Sequence, residues 1–361
     1  MIDICLARAG RGEHCGEVIL FSGFTAVDLF KITRRFRRFN PRPERQRTMK
    51  RSHLVAALLA ACTINLQSSA QADSFGTGSN QFTVDFVEIG NTNNTNSSLA
   101  FGAVPYEYRM GKYEISQLQV TKATLLGMAN VSAGAWASNR PAANVNWYEA
   151  AAFVNFLNTN SGKTAAYALT FSNSQWSMSL QSSSNAWTLG GTNLYRNKDA
   201  FYFLPSENEW FKSAYYNPSN STYYTYPLGS NSAPTVIGAG GGTTAGTAVY
   251  AQTIFPAGPA EVERAGGLTP YGVMGGAANV WDWVESAFDG TNSVANENRT
   301  FRGGAYGQGA LLIRSSYRQS VAPTTSATDM GFRVASVPEP STYALLAMTA
   351  AGGLWMARRR R

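Results

Sequence analysis

The chain has 361 residues, enough for one large domain or two small ones, and its 30 Lys and Arg against 22 Asp and Glu give a formal net charge of +8. The cysteines and histidines all lie before residue 73, at Cys5, Cys15, Cys62, His14 and His53. Because that segment is predicted to be removed, the remaining protein would contain no thiolate and no imidazole, which excludes most metal sites, nucleophile–base pairs and redox centres.

A secretory signal peptide is predicted for residues 49–72. Residues 49–51 supply its basic start, residues 54–64 its apolar core, and Ala70 and Ala72 the small residues that precede a cleavage site. Cleavage by a type I signal peptidase after Ala72 would release the rest of the chain. Every cysteine and histidine would be lost with the leader.

Residues 1–48 are an unusual lead-in to a signal peptide because they contain a dense run of arginines. They are predicted to be the artefact of a start codon assigned too far upstream, or a disordered extension. The alternative is a cytoplasmic extension, which would turn the signal into an internal anchor. A second alternative is a lipobox at residues 59–62, in which the thiol of Cys62 would be acylated.

Residues 73–336 are predicted to form one domain of the α+β class. Residues 82–87 alternate between apolar and polar, and residues 106–113 are rich in tyrosine, so both segments are expected to be strands. The segments 161–197 and 217–247 are rich in Ser, Asn, Gly and Thr, and long surface loops are predicted there.

Two helices are predicted from the spacing of their first residues. Asn146 can accept a hydrogen bond from the first turn while Glu149 reaches back, and apolar residues then recur at helical spacing. Ser206 and Glu209 repeat this pattern and start a second amphipathic helix that runs through Tyr215.

Six motifs resemble, in their order, those of the sulfatase-modifying factor family, the formylglycine-generating enzymes and their relatives, over residues 86–336. The motifs are Arg140-Pro141 with Asn146-Trp147-Tyr148-Glu149-Ala150-Ala151, Phe203-Leu204-Pro205-Ser206-Glu207-Asn208-Glu209-Trp210, Tyr271-Gly272-Val273-Met274, Asn279-Val280-Trp281-Asp282-Trp283, Phe301-Arg302-Gly303-Gly304, and Gly331-Phe332-Arg333-Val334-Ala335. The resemblance implies a compact fold akin to C-type lectins, with little regular secondary structure, two main helices and long loops.

The resemblance also implies an activity that this sequence is not equipped for. Formylglycine-generating enzymes hold copper with two cysteines between the Arg-Gly-Gly and Gly-Phe-Arg motifs, whereas residues 305–314 here contain no sulfur. Cu(I) requires thiolate or a similarly soft ligand. The iron-dependent branch of the family requires histidine ligands, which the processed chain also lacks. We therefore expect no catalytic residues and no redox cofactor.

Pairs of carboxylates are the remaining candidates for catalysis, because two acids held across a cleft can hydrolyse glycosides. The pairs are Glu207 with Glu209, Asp282 with Glu285, and Glu261 with Glu263. A structural role is favoured for the first pair, since Glu209 fits a capping box and Glu207 lies in the first turn of the same helix.

A structural calcium ion is a further hypothesis that the resemblance suggests. Relatives often bind calcium around the Asn-x-Trp-Glu/Asp-Trp motif, and calcium accepts mixed oxygen ligands. The corresponding ligands here are the side chains of Asn279 and Asp282 and the carbonyl groups of Ala278 and Val280. The chain departs from the pattern at Gly275, where relatives commonly have an acidic or amide side chain.

A sugar-binding platform is predicted from the aromatic residues of one short segment, since aromatic faces stack on sugar rings. Its members are Tyr215, Tyr216, Tyr223, Tyr224 and Tyr226. Burial in the core accounts for two or three of them, and the rest are expected to form a partly exposed platform. The arginines Arg302, Arg314, Arg318 and Arg333 are instead expected to pair with carboxylates in the core.

The C-terminus, residues 337–361, resembles the PEP-CTERM sorting signal of Gram-negative bacteria. Residues 341–357 are apolar, at the short limit of a membrane span, and a basic cluster follows them on the cytoplasmic side. The signal residues are Pro338, Glu339, Pro340, Arg358, Arg359, Arg360 and Arg361. The resemblance implies transient anchoring in the inner membrane, cleavage by an exosortase, and release to the cell surface or extracellular matrix.

Processing at both ends changes the charge of the protein. Residues 1–72 and the final arginines carry the excess of basic residues, so the remaining chain is slightly acidic. A nucleic-acid partner is therefore not expected. The sequence predicts an exported, non-catalytic binding or structural scaffold with extracellular polysaccharide as its candidate partner. The alternative is a formylglycine-generating-type oxidoreductase, or another enzyme of the family, with an unrecognised site.

Overall fold

Two β-sheets and three helices form the framework of the residues that the structure describes. The computed structural model describes residues 71–132, 134–252 and 257–338, all within one compact unit. The predicted α+β class is confirmed, and the structure adds one helix to the two that were predicted. Most of the leader and the apolar run 341–357 lie outside the described residues, among which no helix is long and apolar enough to cross a membrane.

The helices are α1 (Gln117–Leu125), α2 (Trp147–Asn160) and α3 (Glu207–Tyr215). The strands in chain order are β1 (Gln71–Phe75), β2 (Phe82–Ile89), β3 (Tyr108–Gly111), β4 (Ala168–Ser172), β5 (Gln175–Ser179), β6 (Ala186–Trp187), β7 (Asn193–Asn197), β8 (Tyr202–Phe203), β9 (Tyr216–Asn217), β10 (Thr222–Tyr223), β11 (Thr235–Ile237), β12 (Thr247–Val249), β13 (Trp281–Ala287), β14 (Arg299–Arg302), β15 (Gln319–Val321), β16 (Met330–Phe332) and β17 (Ala335–Ser336).

The first sheet has the strand order β1-β2-β3-β17-β8 and is antiparallel throughout. The predicted alternation of β2 is confirmed, since Phe82, Val84 and Phe86 are buried. In β1, the carboxylate of Asp73 accepts two hydrogen bonds from Arg109, at 2.6 and 2.9 Å. A cleavage after the preceding residue would therefore leave the anchoring contact of β1 in place.

The second sheet has the order β15-β14-β13-β16 and is mixed, because β13 runs antiparallel to β14 and parallel to β16. Every residue of β13 is buried. Its Trp283 donates a hydrogen bond from Nε1 to the carbonyl of Val145, at 3.0 Å. The tryptophan motif thus fixes the central strand of this sheet against the segment that leads into α2.

Helix α2 joins the two sheets into one core. The ring of its Phe153 lies 6.3 Å from the ring of Phe82 in the first sheet and 5.5 Å from that of Phe332 in the second. All three side chains are buried. The apolar face predicted for this helix is therefore the contact surface between the sheets.

The capping boxes predicted for α2 and α3 are confirmed. Asn146 accepts from the backbone N–H of Glu149 at 3.0 Å while the Glu149 carboxylate accepts from that of Asn146 at 2.9 Å. Ser206 and Glu209 make the same reciprocal bonds. Helix α1 also has a capping box, formed by Ser116 with the third residue of the helix, which was not predicted.

The polar segments 161–197 and 217–247 are not continuous loops, so this prediction was wrong in part. The first contains the hairpins β4–β5 and β6–β7, and the second contains β10 and β11. The β4–β5 hairpin turns over two residues, Asn173 and Ser174, both with positive φ, as a type I′ turn requires. The strands of the β4–β5 hairpin do alternate, with Leu169 and Phe171 in the first and Trp176 and Met178 in the second. The many Ser, Asn and Gly residues of the segment nevertheless dominate its composition, which is why loops were predicted.

Candidate functional site

The segment 305–314, which follows β14, has a defined place in the fold. Its neighbour Gly304 has a φ of +70°, and a Cβ there would lie 2.8 Å from Cγ2 of Ile313, so only glycine fits this turn. The carbonyl of Gln308 accepts from the backbone N–H of Ala251 at 2.8 Å. The side chains of this segment offer oxygen and nitrogen but no sulfur, and the donor set does not fit Cu(I).

The Asp282 carboxylate is buried on β13 and already faces a positive charge. Its Oδ2 accepts from Nε of Arg333 at 2.7 Å and from Nε1 of Trp210 at 2.9 Å. Its Oδ1 is buried and has no hydrogen-bond partner among the described residues. The guanidinium group therefore supplies the countercharge that a metal ion would otherwise provide.

The side chain of Asn279, another predicted calcium ligand, also makes contacts within the protein. Oδ1 of Asn279 accepts from the backbone N–H of Ala260 at 2.8 Å, and its Nδ2 donates to Glu114 at 2.7 Å. Val280 turns its N–H towards the same carboxylate, at 3.4 Å. Ala278 lies in the same buried turn, and Oδ1 of Asp282 is the one side-chain oxygen of these predicted ligands that has no partner among the described residues.

Glu114 occupies the space that Gly275 leaves open. A Cβ at Gly275 would lie 3.1 Å from Oε2 of Glu114. Burial raises the pKa of Glu114 to about 8, with Arg333 acting in the opposite direction and Asp282 in the same one. The carboxyl group missing at position 275 is thus replaced in space by one from a distant part of the chain, which no sequence pattern signalled.

The predicted acid pairs are separated by the fold and bind different arginines. Glu207 accepts from Arg302 and Arg318, at 2.7 and 2.6 Å, whereas Glu209 accepts from Arg196 at 2.9 Å. Asp282 and Glu285 are separated in the same way, because Asp282 binds Arg333 whereas Glu285 binds Arg196. Glu261 and Glu263 are exposed next to the short helix Val262–Arg264.

Arg196 holds two buried carboxylates, Glu209 and Glu285, and stacks 3.7 Å above the ring centroid of Phe203. Burial opposes the ionisation of Glu209, yet Arg196 and its hydrogen bonds keep the pKa of Glu209 below its ordinary value. Burial raises the pKa of Glu285, which Arg196 counteracts. This cluster has the contacts of a structural ion network rather than of an acid–base pair.

The five tyrosines do not form one exposed face, which corrects the predicted platform. Tyr215 and Tyr226 are buried in the core around α3, and Tyr216 is buried with its ring centroid 4.8 Å from that of Tyr223. Tyr223 and Tyr224 are partly exposed, and their hydroxyl groups accept from Asn94 and Asn220 respectively. Only these two retain faces that a ligand can approach.

The arginines predicted to pair with carboxylates do so in three of four cases. Arg302 and Arg318 bind Glu207, and Arg333 binds Asp282. Arg314 instead donates from Nε to the hydroxyl group of Tyr226 at 2.9 Å.

A surface cleft of about 460 Å³, which we call the hairpin cleft, lies between the β4–β5 hairpin and the start of α2. Its aromatic side is Phe171 and Trp176, whose ring centroids are 5.0 Å apart at an interplanar angle of 61°. The remaining lining comes from the following residues: Asn130, Val131, Ser132, Asn146, Tyr148, Glu149, Ser174, Gln175 and Thr324. This cleft was not predicted; its signal in the sequence is the aromatic pair that flanks the Asn-Ser turn.

Comparison with known proteins finds two family models that match. Residues 85–337 match the sulfatase-modifying factor enzyme 1-like domain, and residues 336–361 match the PEP-CTERM protein-sorting motif. No match was found among the curated proteins.

Several solved structures are similar to this chain. Treponema denticola variable protein 1 has 19% identity and a TM-score of 0.48, with 75% of this chain and 100% of that chain covered. CarF has 17% identity and a TM-score of 0.48, covering 75% and 98%. PvdO from Pseudomonas aeruginosa has 14% identity and a TM-score of 0.39, covering 74% and 92%.

Proposed function

The chain belongs to the family of sulfatase-modifying factor enzyme 1-like domains, and from this membership and its sorting motif we propose that it is an exported scaffold without redox activity. The expected fold of the formylglycine-generating type is confirmed. The PEP-CTERM motif indicates an exosortase-sorted protein of the cell surface or extracellular matrix. There the domain serves to bind a partner, for which extracellular polysaccharide is the proposed class.

One observation carries the non-redox part of this proposal. After residue 62 the chain has no cysteine, and after residue 53 it has no histidine. Copper in this family depends on thiolates, and iron on histidines, so neither metal has its ligands once the leader is removed. The carboxylates that remain are supported as structural groups, because four of them bind buried arginines.

The binding part of the proposal is supported by location and by surface chemistry. A protein released into a polysaccharide matrix meets sugars as its most abundant neighbours. The partly exposed Tyr223 and Tyr224 and the aromatic side of the hairpin cleft offer surfaces of the type that stacks on sugar rings.

The activity assay that tests this proposal offers the exported protein a cysteine-containing peptide, copper and oxygen. We expect no conversion of the cysteine to an aldehyde, with mass spectrometry of the peptide as the readout. A formylglycine-generating enzyme assayed in parallel verifies the conditions. Aldehyde formation by this protein at a comparable rate would establish the enzyme alternative instead.

A further inference from the structure

We propose that the hairpin cleft is a binding site for a neutral polysaccharide, with Trp176 and Phe171 stacking on sugar rings and nearby amide and hydroxyl groups bonding to sugar hydroxyls. The inference rests on the proposed binding function and assigns it to one site. It differs from the tyrosine segment of α3 and β10, which shares no residue with the cleft.

The aromatic side of the cleft is fixed before any ligand arrives. Nε1 of Trp176 donates to the carbonyl of Asn130 at 2.8 Å, which holds the indole in one orientation. The neighbouring Phe171 is 39% exposed, although it packs edge-on against that indole. The two-residue turn of the hairpin restrains both strands that carry these rings. A rigid aromatic surface binds at low entropic cost, because few side-chain rotamers remain to be immobilised.

Polar groups suited to sugar hydroxyls surround these rings. The side chains of Asn130, Gln175 and Thr324 line the cleft, are exposed, and form no hydrogen bond with any described residue. A side-chain amide can donate hydrogen bonds from its NH2 group and accept them at its oxygen, and a hydroxyl group can also do both. The cleft therefore combines apolar faces with unused hydrogen-bonding groups, which matches a sugar ring with its apolar face and equatorial hydroxyls.

The charges of the cleft favour a neutral ligand over an anionic one. Among the residues that line the cleft, Glu149 has the one carboxylate and Tyr148 has a phenol. No Lys or Arg lines the cleft. Both oxygens of Glu149 are occupied: Oε1 accepts from the N–H and hydroxyl groups of Ser132, at 3.0 and 2.6 Å, and Oε2 from the N–H of Asn146, at 2.9 Å. A uronic acid or a phosphate would find no cation here.

The size and position of the cleft suit part of a long chain of sugars. A volume of about 460 Å³ lies within the range of ligand sites, roughly 300–1,000 Å³. Its rim includes the exposed Phe171, Ser174 and Gln175, so that a polymer can enter and leave along the surface.

The experiment measures binding of the full-length chain, purified in detergent, to an array of neutral and acidic glycans. We expect the parent to bind neutral glycans, and Trp176→Ala to weaken this binding at least about tenfold, the equivalent of about 1.4 kcal/mol. Phe171→Ala, at an exposed position, should weaken it in the same direction.

Trp136→Ala is the matched control. Trp136 is also a partly exposed tryptophan whose Nε1 donates to a backbone carbonyl, that of Thr328, at 2.7 Å, but it packs on Tyr306 outside the cleft. The Trp136→Ala variant should bind glycans as strongly as the parent does. Thr324→Trp adds bulk to the cleft without removing a hairpin contact, and its loss of binding would be independent of hairpin stability.

The outcomes distinguish a failure of the cleft as the binding site from a failure of polysaccharide binding as the function. If folded Trp176→Ala, Phe171→Ala and Thr324→Trp all bind as the parent does, the cleft is not the site, while the binding function stands. Binding of acidic glycans alone would overturn the neutral class. If the parent binds no glycan at all, both the cleft and the polysaccharide partner are wrong, whereas the non-redox conclusion is unaffected.

Discussion

Glu207 lies between two arginines, and its contacts predict a role in stability rather than in catalysis. It is buried and accepts from Arg302, which is also buried, and from the more exposed Arg318. Removing one member of such a buried pair leaves an uncompensated charge. We therefore expect Glu207→Gln to lower the free energy of unfolding by about 3 kcal/mol in denaturant titrations.

The control for this variant is Glu263→Gln, an equivalent change at an exposed carboxylate. It should alter the unfolding free energy by no more than about 0.5 kcal/mol. If Glu207→Gln were as stable as the parent, the ion pairs of Glu207 would not be structural contacts of the kind described.

Glu114 predicts how stability depends on pH. Burial raises its pKa from 4.5 to about 8, so the folded protein retains a proton that the unfolded chain releases. This contribution to stability is complete below about pH 4.5 and is lost as the pH rises to about 8. Burial also raises the pKa of the neighbouring Asp282, which likewise lowers the stability of the folded protein as the pH rises.

Glu114→Gln should flatten the fall in stability between about pH 5 and pH 8, since glutamine cannot ionise and can still accept from Asn279. Chemical unfolding at a series of pH values measures this. A variant with the same pH profile as the parent would show that Glu114 is ionised in the folded protein throughout that range.

At the scale of single residues, the sequence predicted which type of group the arginines bind but not which residue supplies that group. It indicated that Arg302, Arg318 and Arg333 bind carboxylates, which is confirmed. It gave no sign that Glu114 would fill the space beside Gly275, because the two residues belong to separate segments that only tertiary packing brings together. The burial of two or three of the clustered tyrosines was expected, but which of them are buried depends on tertiary packing.

Helix α1 provides a test at the scale of an element. Ser116 accepts from the N–H of Gln119 at 3.2 Å, and the Gln119 side chain accepts from the N–H of Ser116 at 2.7 Å. Ser116→Ala removes the first of these bonds and should destabilise the protein by about 1 kcal/mol, as measured by denaturant unfolding.

Thr121→Ala, at an exposed position within the same helix, serves as the comparison, since alanine is the better helix former. It should leave stability unchanged or raise it slightly. Equal losses from Ser116→Ala and Thr121→Ala would mean that the cap makes no specific contribution.

Two of the three helices and the strand β2 were predicted from local signals, whereas α1 and the β4–β5 hairpin were not. The caps at Asn146 and Ser206 are visible as residue types at a fixed spacing, and both helices begin where expected. The β4–β5 hairpin was missed because the Ser- and Asn-rich composition of its segment outweighed two local signals. These are the apolar alternation of its strands and the Asn173–Ser174 turn between them. The hairpin cleft was missed with it, since it exists only when the hairpin stands beside α2.

At the scale of the whole molecule, the C-terminal sorting motif indicates an exported and sorted protein. The sorting motif spans residues 336–361 and includes Pro338, Glu339 and Pro340. Replacing these three residues by alanine should prevent exosortase processing and retain the protein in the membrane fraction. Immunoblots of membrane and released fractions measure the change.

Alanine at Ser341 and Thr342, just after the Pro-Glu-Pro tripeptide, provides the control and should leave release unchanged. If the triple variant were released as the parent is, sorting would not depend on this motif.

Native mass spectrometry of the exported protein tests the central claim most directly, because it reports the termini and any bound metal in one measurement. We predict a chain that begins at Asp73, has lost Arg358 to Arg361, and carries no copper or iron. An exported chain that still contains His53 and Cys62 with one copper or iron ion bound would contradict the account.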